Sequence, residues 1–139
     1  MRVALELEIP SDVAHIERVV TAVTDSCADL ALPPRALSLC VPVALTEALA
    51  NAIRYGNRAD ASKRVRVRAC VSDTALVLEV HDEGPGFDLG RCLHDCATDT
   101  AAELEREDGR GLFLMRALMD HLEHTADGGS VVRMTMYRA

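Results

Sequence analysis

Tryptophan is absent from this chain, and aromatic residues together make up only 3% of it. Any core must therefore be aliphatic, built from Val, Leu, Ala and Met rather than from stacked rings. With 49% hydrophobic residues such a core is attainable, and wholesale disorder is not expected. Read along the sequence, no apolar run is long enough to cross a membrane. Met1-Arg2-Val3-Ala4-Leu5-Glu6 does not open an apolar signal segment with a cleavage site, so the expected location is the cytoplasm. The five cysteines are an odd number in a chain without an export signal, which argues against a disulfide framework. A basic excess is lacking too: the net charge is -7, so direct nucleic-acid binding is not expected. Internal repeats and low-complexity stretches are absent. A length of 139 residues suits one domain spanning 1–139, expected to be complete as it stands.

What is present is clear alternation and clear punctuation. Val3, Leu5, Leu7 and Ile9 alternate with Ala4, Glu6 and Glu8, which predicts a strand ended by Pro10. Ser11 and Asp12 are N-cap residues for a helix to about Asp29, with Ile16, Val19, Val20 and Val23 at helical spacing. After Pro33-Pro34 a second helix is predicted from about Arg35 to Tyr55, kinked or ragged at Pro42, regular from Val43, and closed by Gly56-Asn57. Val65, Val67, Ala69 and Val71 alternate with Arg64, Arg66, Arg68 and Cys70. Ser72-Asp73 turns the chain, and Ala75 to His81 completes a hairpin. Phe87 to Asp108 is polar, acidic and aperiodic, a loop long enough to serve as a lid. Gly111 to His124 reads as a third helix, with Leu112, Met115, Leu118, Met119 and Leu122 inward. Asp127-Gly128-Gly129 turns into a last strand, Ser130 to Tyr137. The predicted fold is α+β: a two-layer sandwich with a mixed, mostly antiparallel sheet and its helices on one face.

Three short motifs carry the chemistry. Glu47 and Asn51 stand four residues apart, on one face of the second helix, among alanines that leave room for a ligand. An Asn oxygen is a hard, neutral donor suited to Mg²⁺, and a neighbouring Glu could accept a hydroxyl proton. Asp82, directly after a strand, is acceptor-only when ionised and could take a proton from an adenine 6-amino group. Gly84 and Gly86 let the backbone turn close to a ligand there. Gly109-Arg110-Gly111-Leu112, read as the entry to a helix, would offer free N–H groups and a positive dipole end to phosphate. An acidic chain does not exclude this chemistry, because one metal ion and a few local donors can hold a triphosphate.

In this order and spacing the motifs resemble the N box and two glycine boxes of the GHKL ATP-binding superfamily, which includes DNA gyrase and sensor histidine kinases. Leu45-Thr46-Glu47-Ala48-Leu49-Ala50-Asn51-Ala52-Ile53 and Gly109 to Asp120 are most similar to the anti-sigma-factor serine kinases of the RsbW and SpoIIAB type. The resemblance covers nearly the whole chain. It implies a Bergerat fold holding Mg-ATP under a lid at about 87–108. It implies Asn51 on magnesium, Glu47 as general base, and Asp82 reading adenine beside Gly84 and Gly86. Gly109, Arg110, Gly111 and Leu112 would then lie on the phosphates, and Arg18 would meet a protein partner. It also implies the partners: a STAS-type anti-anti-sigma protein, a sigma factor and a second copy of the chain. Two positions depart from the pattern. Tyr55 stands where relatives often place His before the closing glycine, and Ser130 stands where many place an adenine-linked Thr.

Other features read more simply. Cys92-Leu93-His94-Asp95-Cys96 matches no zinc-knuckle spacing and lacks a second ligand pair, so reduced thiols are expected. His15 is not followed by the acid of a phosphoacceptor histidine and is expected at the surface. His121 and His124 are expected near a helix C-terminus. The resemblance therefore favours a protein serine/threonine kinase that also holds a sigma factor. The alternative is a nucleotide-gated clamp without phosphoryl transfer. A fragment of a larger ATPase machine is a third reading, disfavoured by the expected completeness of the domain.

Overall fold

The computed structural model describes residues 1–86, 89, 107–126 and 128–139, with 107–109 described in backbone only. The predicted lid and the Cys92-His94-Cys96 cluster therefore lie outside the described residues, apart from Leu89 and the last two lid positions.

Strand β1 (Arg2–Pro10) leads through one tight turn, Val13–His15, into α1 (Ile16–Ser26). Asp12 is the predicted cap: its Oδ1 accepts the Ala14 N–H at 2.9 Å. Beyond Pro33-Pro34 a continuous helix of 21 residues runs from Ala36 to Gly56. Its regular part is α2 (Val41–Asn51), flanked by wider π-type turns at Ala36–Cys40 and Ala52–Gly56. The regular helix thus begins at Val41, not Val43. Pro42 cannot bond back to the preceding turn, and the change of pitch falls there. By length and composition this helix could cross a membrane, which corrects the reading that no such run exists. In the fold it is the central core helix, burying Val41, Ala44, Leu45, Ala48 and Leu49.

The hairpin forms as predicted, from β2 (Arg64–Val71) and β3 (Ala75–Asp82). The third helix differs. It begins earlier and ends sooner, as α3 (Glu107–Leu118), and is followed by an unpredicted strand β4 (His121–Ala126) paired with β5 (Ser130–Tyr137). Helical apolar spacing continues through Leu122, but 121–126 also alternates, and β5 offers it a complete ladder. Asp120 fixes the switch: its N–H donates to the Thr135 carbonyl at 2.8 Å and its Oδ2 accepts the Tyr137 N–H at 2.7 Å. His121 and His124 consequently lie on an edge strand rather than at a helix terminus. The sheet has five strands in the order β1-β2-β3-β5-β4. Its four pairings are all antiparallel, so the expected mixed character is not found among the described strands.

Alternation decides which face is covered. Val65, Val67, Leu76, Leu78, Val80, Val132 and Met134 point inward, where they meet Val19 and Val23 of α1, Leu45 and Leu49 of α2, and Met115 of α3. The opposite face is charged, in columns that follow the strands: Glu6 and Glu8 on β1, Arg64, Arg66 and Arg68 on β2, Glu79 on β3, Arg133 on β5 and Glu123 on β4. The register sets Glu6 opposite Arg68, Arg68 opposite Glu79, and Glu79 opposite Arg133. Glu79 is the buried centre, 7% exposed; its Oε2 accepts Arg133 Nη2 at 2.7 Å and Nε at 2.9 Å. Burial pushes the Glu79 carboxyl up, but the Arg133 hydrogen bonds and charge, with His81 behind them, outweigh it and hold it below its ordinary range. Glu79→Ala would leave Arg68 and Arg133 facing each other, and is expected to lower stability by about 2 kcal/mol in thermal melts at neutral pH. Because the folded pKa is depressed, this stabilisation is present above the ordinary carboxyl range and lost as pH falls through the folded value. The gap between wild type and Glu79→Gln should therefore close under acid.

Candidate functional site

One cleft, of about 620 Å³ including its open mouth, lies between the C-terminal half of the long helix and the ends of β3 and β5. Its floor is apolar: Ala48 and Ala52 from the helix, Val80 and Val132 from the sheet, and Leu112 from α3. Its polar groups are few: Asn51, Tyr55, Asp82 and Ser130. An apolar slot with a handful of placed polar groups suits a flat heterocycle. The small helix residues that made room in sequence are the ones that make the slot.

Asp82 ends β3 at one end of the cleft, directly opposite Ser130 in the β3–β5 register. Burial raises its carboxyl above the ordinary value, only partly offset by the Gly84 N–H, which donates to Oδ1 at 2.7 Å. Gly56 and Gly84 close in on it from the helix side. A Cβ on Gly56 would collide with the Asp82 carboxylate, and a Cβ on Gly84 would collide with the Gly56 carbonyl. The helix end and the turn after β3 are thus in backbone contact, which only glycine permits at these two positions. Gly86 lines the same wall with φ of 84°.

Glu47 and Asn51 lie one turn apart on α2, as their spacing predicts. Asn51 is half-buried on the cleft, while Glu47, also half-buried, lies outside its lining. Gly111 is buried against both: a Cβ there would stand 2.9 Å from Glu47 Oε2 and 3.3 Å from Asn51 Nδ2. The first and third sequence motifs therefore meet in space. Gly109 and Gly111 are not ahead of a helix, as expected, but within α3, with Arg110 exposed and Leu112 buried. Arg18 lines no part of the cleft. It is exposed on α1, its Nη2 3.0 Å from His15 Nδ1.

Two cleft residues were under-read in sequence. Ser130, 2% exposed, has its Oγ 2.7 Å from His124 Nε2. His124 carried no usable signal, because its segment read as helix; burial lowers its pKa. Tyr55, noted only as a departure from a pattern, lines the mouth and is 46% exposed.

A metal ion at Asn51 fits this donor set in one way. Among the described residues no three His, Cys, Asp or Glu side chains converge, so a cage made by the protein is not on offer. A single neutral oxygen would suit Mg²⁺ if phosphates lay beside it, since that ion keeps waters and takes its other ligands from phosphate.

These features define an ATPase domain of the histidine-kinase-like class. The family model for the histidine kinase-like ATPase domain matches residues 9–136, and the chain belongs to that family. Among curated proteins it is similar to the serine-protein kinase RsbW of Bacillus licheniformis, 33% identical over 98 residues, or 68% of this chain and 61% of that one. The RsbW of Bacillus subtilis (strain 168) matches to the same extent, and that of Listeria monocytogenes (EGD-e) is 31% identical over 100 residues, 68% and 62% of the two chains. The matched region thus spans about three fifths of the length of these relatives.

Proposed function

We propose that this protein is an ATP- and Mg-dependent protein serine/threonine kinase that acts as an anti-sigma factor and phosphorylates a Ser or Thr of a STAS-type anti-anti-sigma partner. The observation that carries the reading is the packing of Gly111 on Glu47 and Asn51, next to a cleft that ends at Asp82. Phosphate motif, base and metal ligand stand side by side, and the purine reader lies at the far end of the same cleft. In the step proposed, the partner's hydroxyl oxygen attacks the γ-phosphorus, its proton passes to the Glu47 carboxylate, and the bond to the β,γ-bridging oxygen breaks to release ADP. Magnesium, when bound, neutralises charge on the phosphates, and Asn51 is the side chain that would hold it. Asp82 accepts from the adenine 6-amino group, and Gly109, Arg110, Gly111 and Leu112 form the phosphate side. Arg18, exposed on α1, is a partner contact.

The test is incubation with labelled Mg-ATP and a STAS protein from the same source, alongside Glu47→Ala and Asn51→Ala. Label on a partner serine or threonine that disappears in both variants supports the kinase. Tight nucleotide binding with no transfer to any STAS partner would instead favour the nucleotide-gated clamp. One observation favours that second reading: Gly111 is buried against Glu47 and Asn51, and this contact must open for phosphates to reach them.

Gly111→Ala probes this contact. Alanine is the better helix former by about 1 kcal/mol, and the near atom is the far end of the flexible Glu47 side chain, which can swing aside, so melting is expected to stay within about 1 kcal/mol of wild type. The methyl group takes the space beside Asn51, however, and ATP affinity in a nucleotide titration is expected to fall about tenfold. A stable variant with unchanged affinity would remove Gly111 from the phosphate site.

A further inference from the structure

Asn57 lies just past the end of the long helix and is fully buried, 0% exposed. Its side chain uses its donors and its acceptor on three different segments. Nδ2 donates to Ser11 Oγ at 2.7 Å and to the Arg64 carbonyl at 3.0 Å, and Oδ1 accepts the Glu83 N–H at 2.8 Å. The orientation of the amide is fixed by chemistry, because a backbone N–H can only donate and a carbonyl can only accept. Ser11 Oγ in turn donates to the Lys63 carbonyl at 2.8 Å, and the Asn57 N–H closes the helix on the Ala52 carbonyl at 2.8 Å. One side chain therefore ties the exit of β1, the entry of β2 and the turn after β3 to the helix end.

The bond to Glu83 falls on the peptide that joins Asp82 to Glu83. That peptide sets the direction of the Asp82 carbonyl and, with the Gly56 and Gly84 backbones pressed on the carboxylate, limits where the Asp82 side chain can point. On the other side a Cβ at Gly129 would come 2.7 Å from the Asp82 carbonyl oxygen, so the turn cannot relax outward. Asn57 itself does not line the cleft. We infer that Asn57 is a positioning residue for purine recognition: through Glu83 it holds the Asp82 carboxylate at the angle that accepts a 6-amino group and repels a 6-oxo group. The inference rests on the reading of the cleft as an adenine-nucleotide site. An isolated structural clamp would only stabilise the fold; this one also decides which base is bound.

The experiment measures affinities for ATP and GTP in Mg²⁺, with thermal melts, for wild type, Asn57→Ala, Asn57→Asp, Asp82→Asn and the Asn57→Ala/Asp82→Asn double variant. Wild type that binds neither nucleotide overturns the adenine reading itself; wild type that prefers ATP leaves the inference to the variants. Asn57→Ala is expected to melt lower and to lose about tenfold of the preference for ATP over GTP. The double variant should lose little preference beyond Asp82→Asn alone, because Asn57 acts through Asp82. A folded Asn57→Ala with wild-type preference, or full additivity with Asp82→Asn, would reduce Asn57 to a stabilising residue. Should Asn57→Ala show no cooperative melt, Asn57→Asp decides, since it keeps the acceptor for the Glu83 N–H while losing the two donors. A lower melting point with preference within about twofold of wild type supports the inference, and a lost preference overturns it.

Discussion

Glu47→Gln is expected to lower phosphoryl transfer to the partner hydroxyl by about 10²- to 10⁴-fold while ATP affinity stays within about twofold of wild type. The two side chains have the same length and both offer an oxygen, but the amide cannot take up a proton. Glu47 is half-buried and is not among the residues that line the slot, so its replacement by an isosteric amide leaves the slot's lining unchanged. Its position next to Asn51 and Gly111 puts its carboxylate at the proposed phosphate end, where a partner's hydroxyl would arrive. The measurement is single-turnover transfer from labelled ATP, with affinity read separately by titration. Transfer at the wild-type rate would remove Glu47 as the base. A parallel loss of affinity would show that it binds ground state and transition state alike.

Asn51→Ala is expected to weaken ATP binding by about 100-fold in Mg²⁺ and by no more than about threefold in EDTA. Asn51 is half-buried at the junction of the apolar slot and the Glu47–Gly111 contact. If its oxygen is the one that would hold the ion, the loss exists only when the ion is present. Titrations with and without chelator separate this from packing. Equal losses in both would place Asn51 on the nucleotide or the fold instead, and no loss in either would remove it from the site. Shortening Asn51 to a third alanine beside Ala48 and Ala52 leaves the apolar floor unchanged, so a general collapse of the slot is not expected to mimic this effect.

Much of this architecture was legible because two periods were clean. Alternation over Val65 to Val71 and Ala75 to His81 placed both strands and their inward faces, and Pro33-Pro34 and Gly56 bounded the long helix. Legibility failed where both periods fitted one segment. Leu118, Met119 and Leu122 continue a helical stripe, yet His121 to Ala126 also alternates, and only the presence of β5 as a hydrogen-bonding partner decides for a strand. The same failure hid His124 and its bond to Ser130. Pro42 misled differently: a proline marks a break in pitch, but the width of the turns on either side depends on what the helix packs against.

The amino-acid sequence alone determined the chemistry available. It specified which residues could hold a phosphate, accept a proton or read a purine, and in which order they come, because those properties belong to side chains and glycines one at a time. Tertiary structure decided adjacency. Gly111 lies on Glu47 although 64 positions separate them. Gly56 presses on Asp82, and Asn57 reaches across to Glu83, because helix and sheet must share one apolar layer and their ends are drawn together by it. Buried polar groups such as Asn57 then need partners from whatever segments arrive, a requirement that exists only after the core has formed.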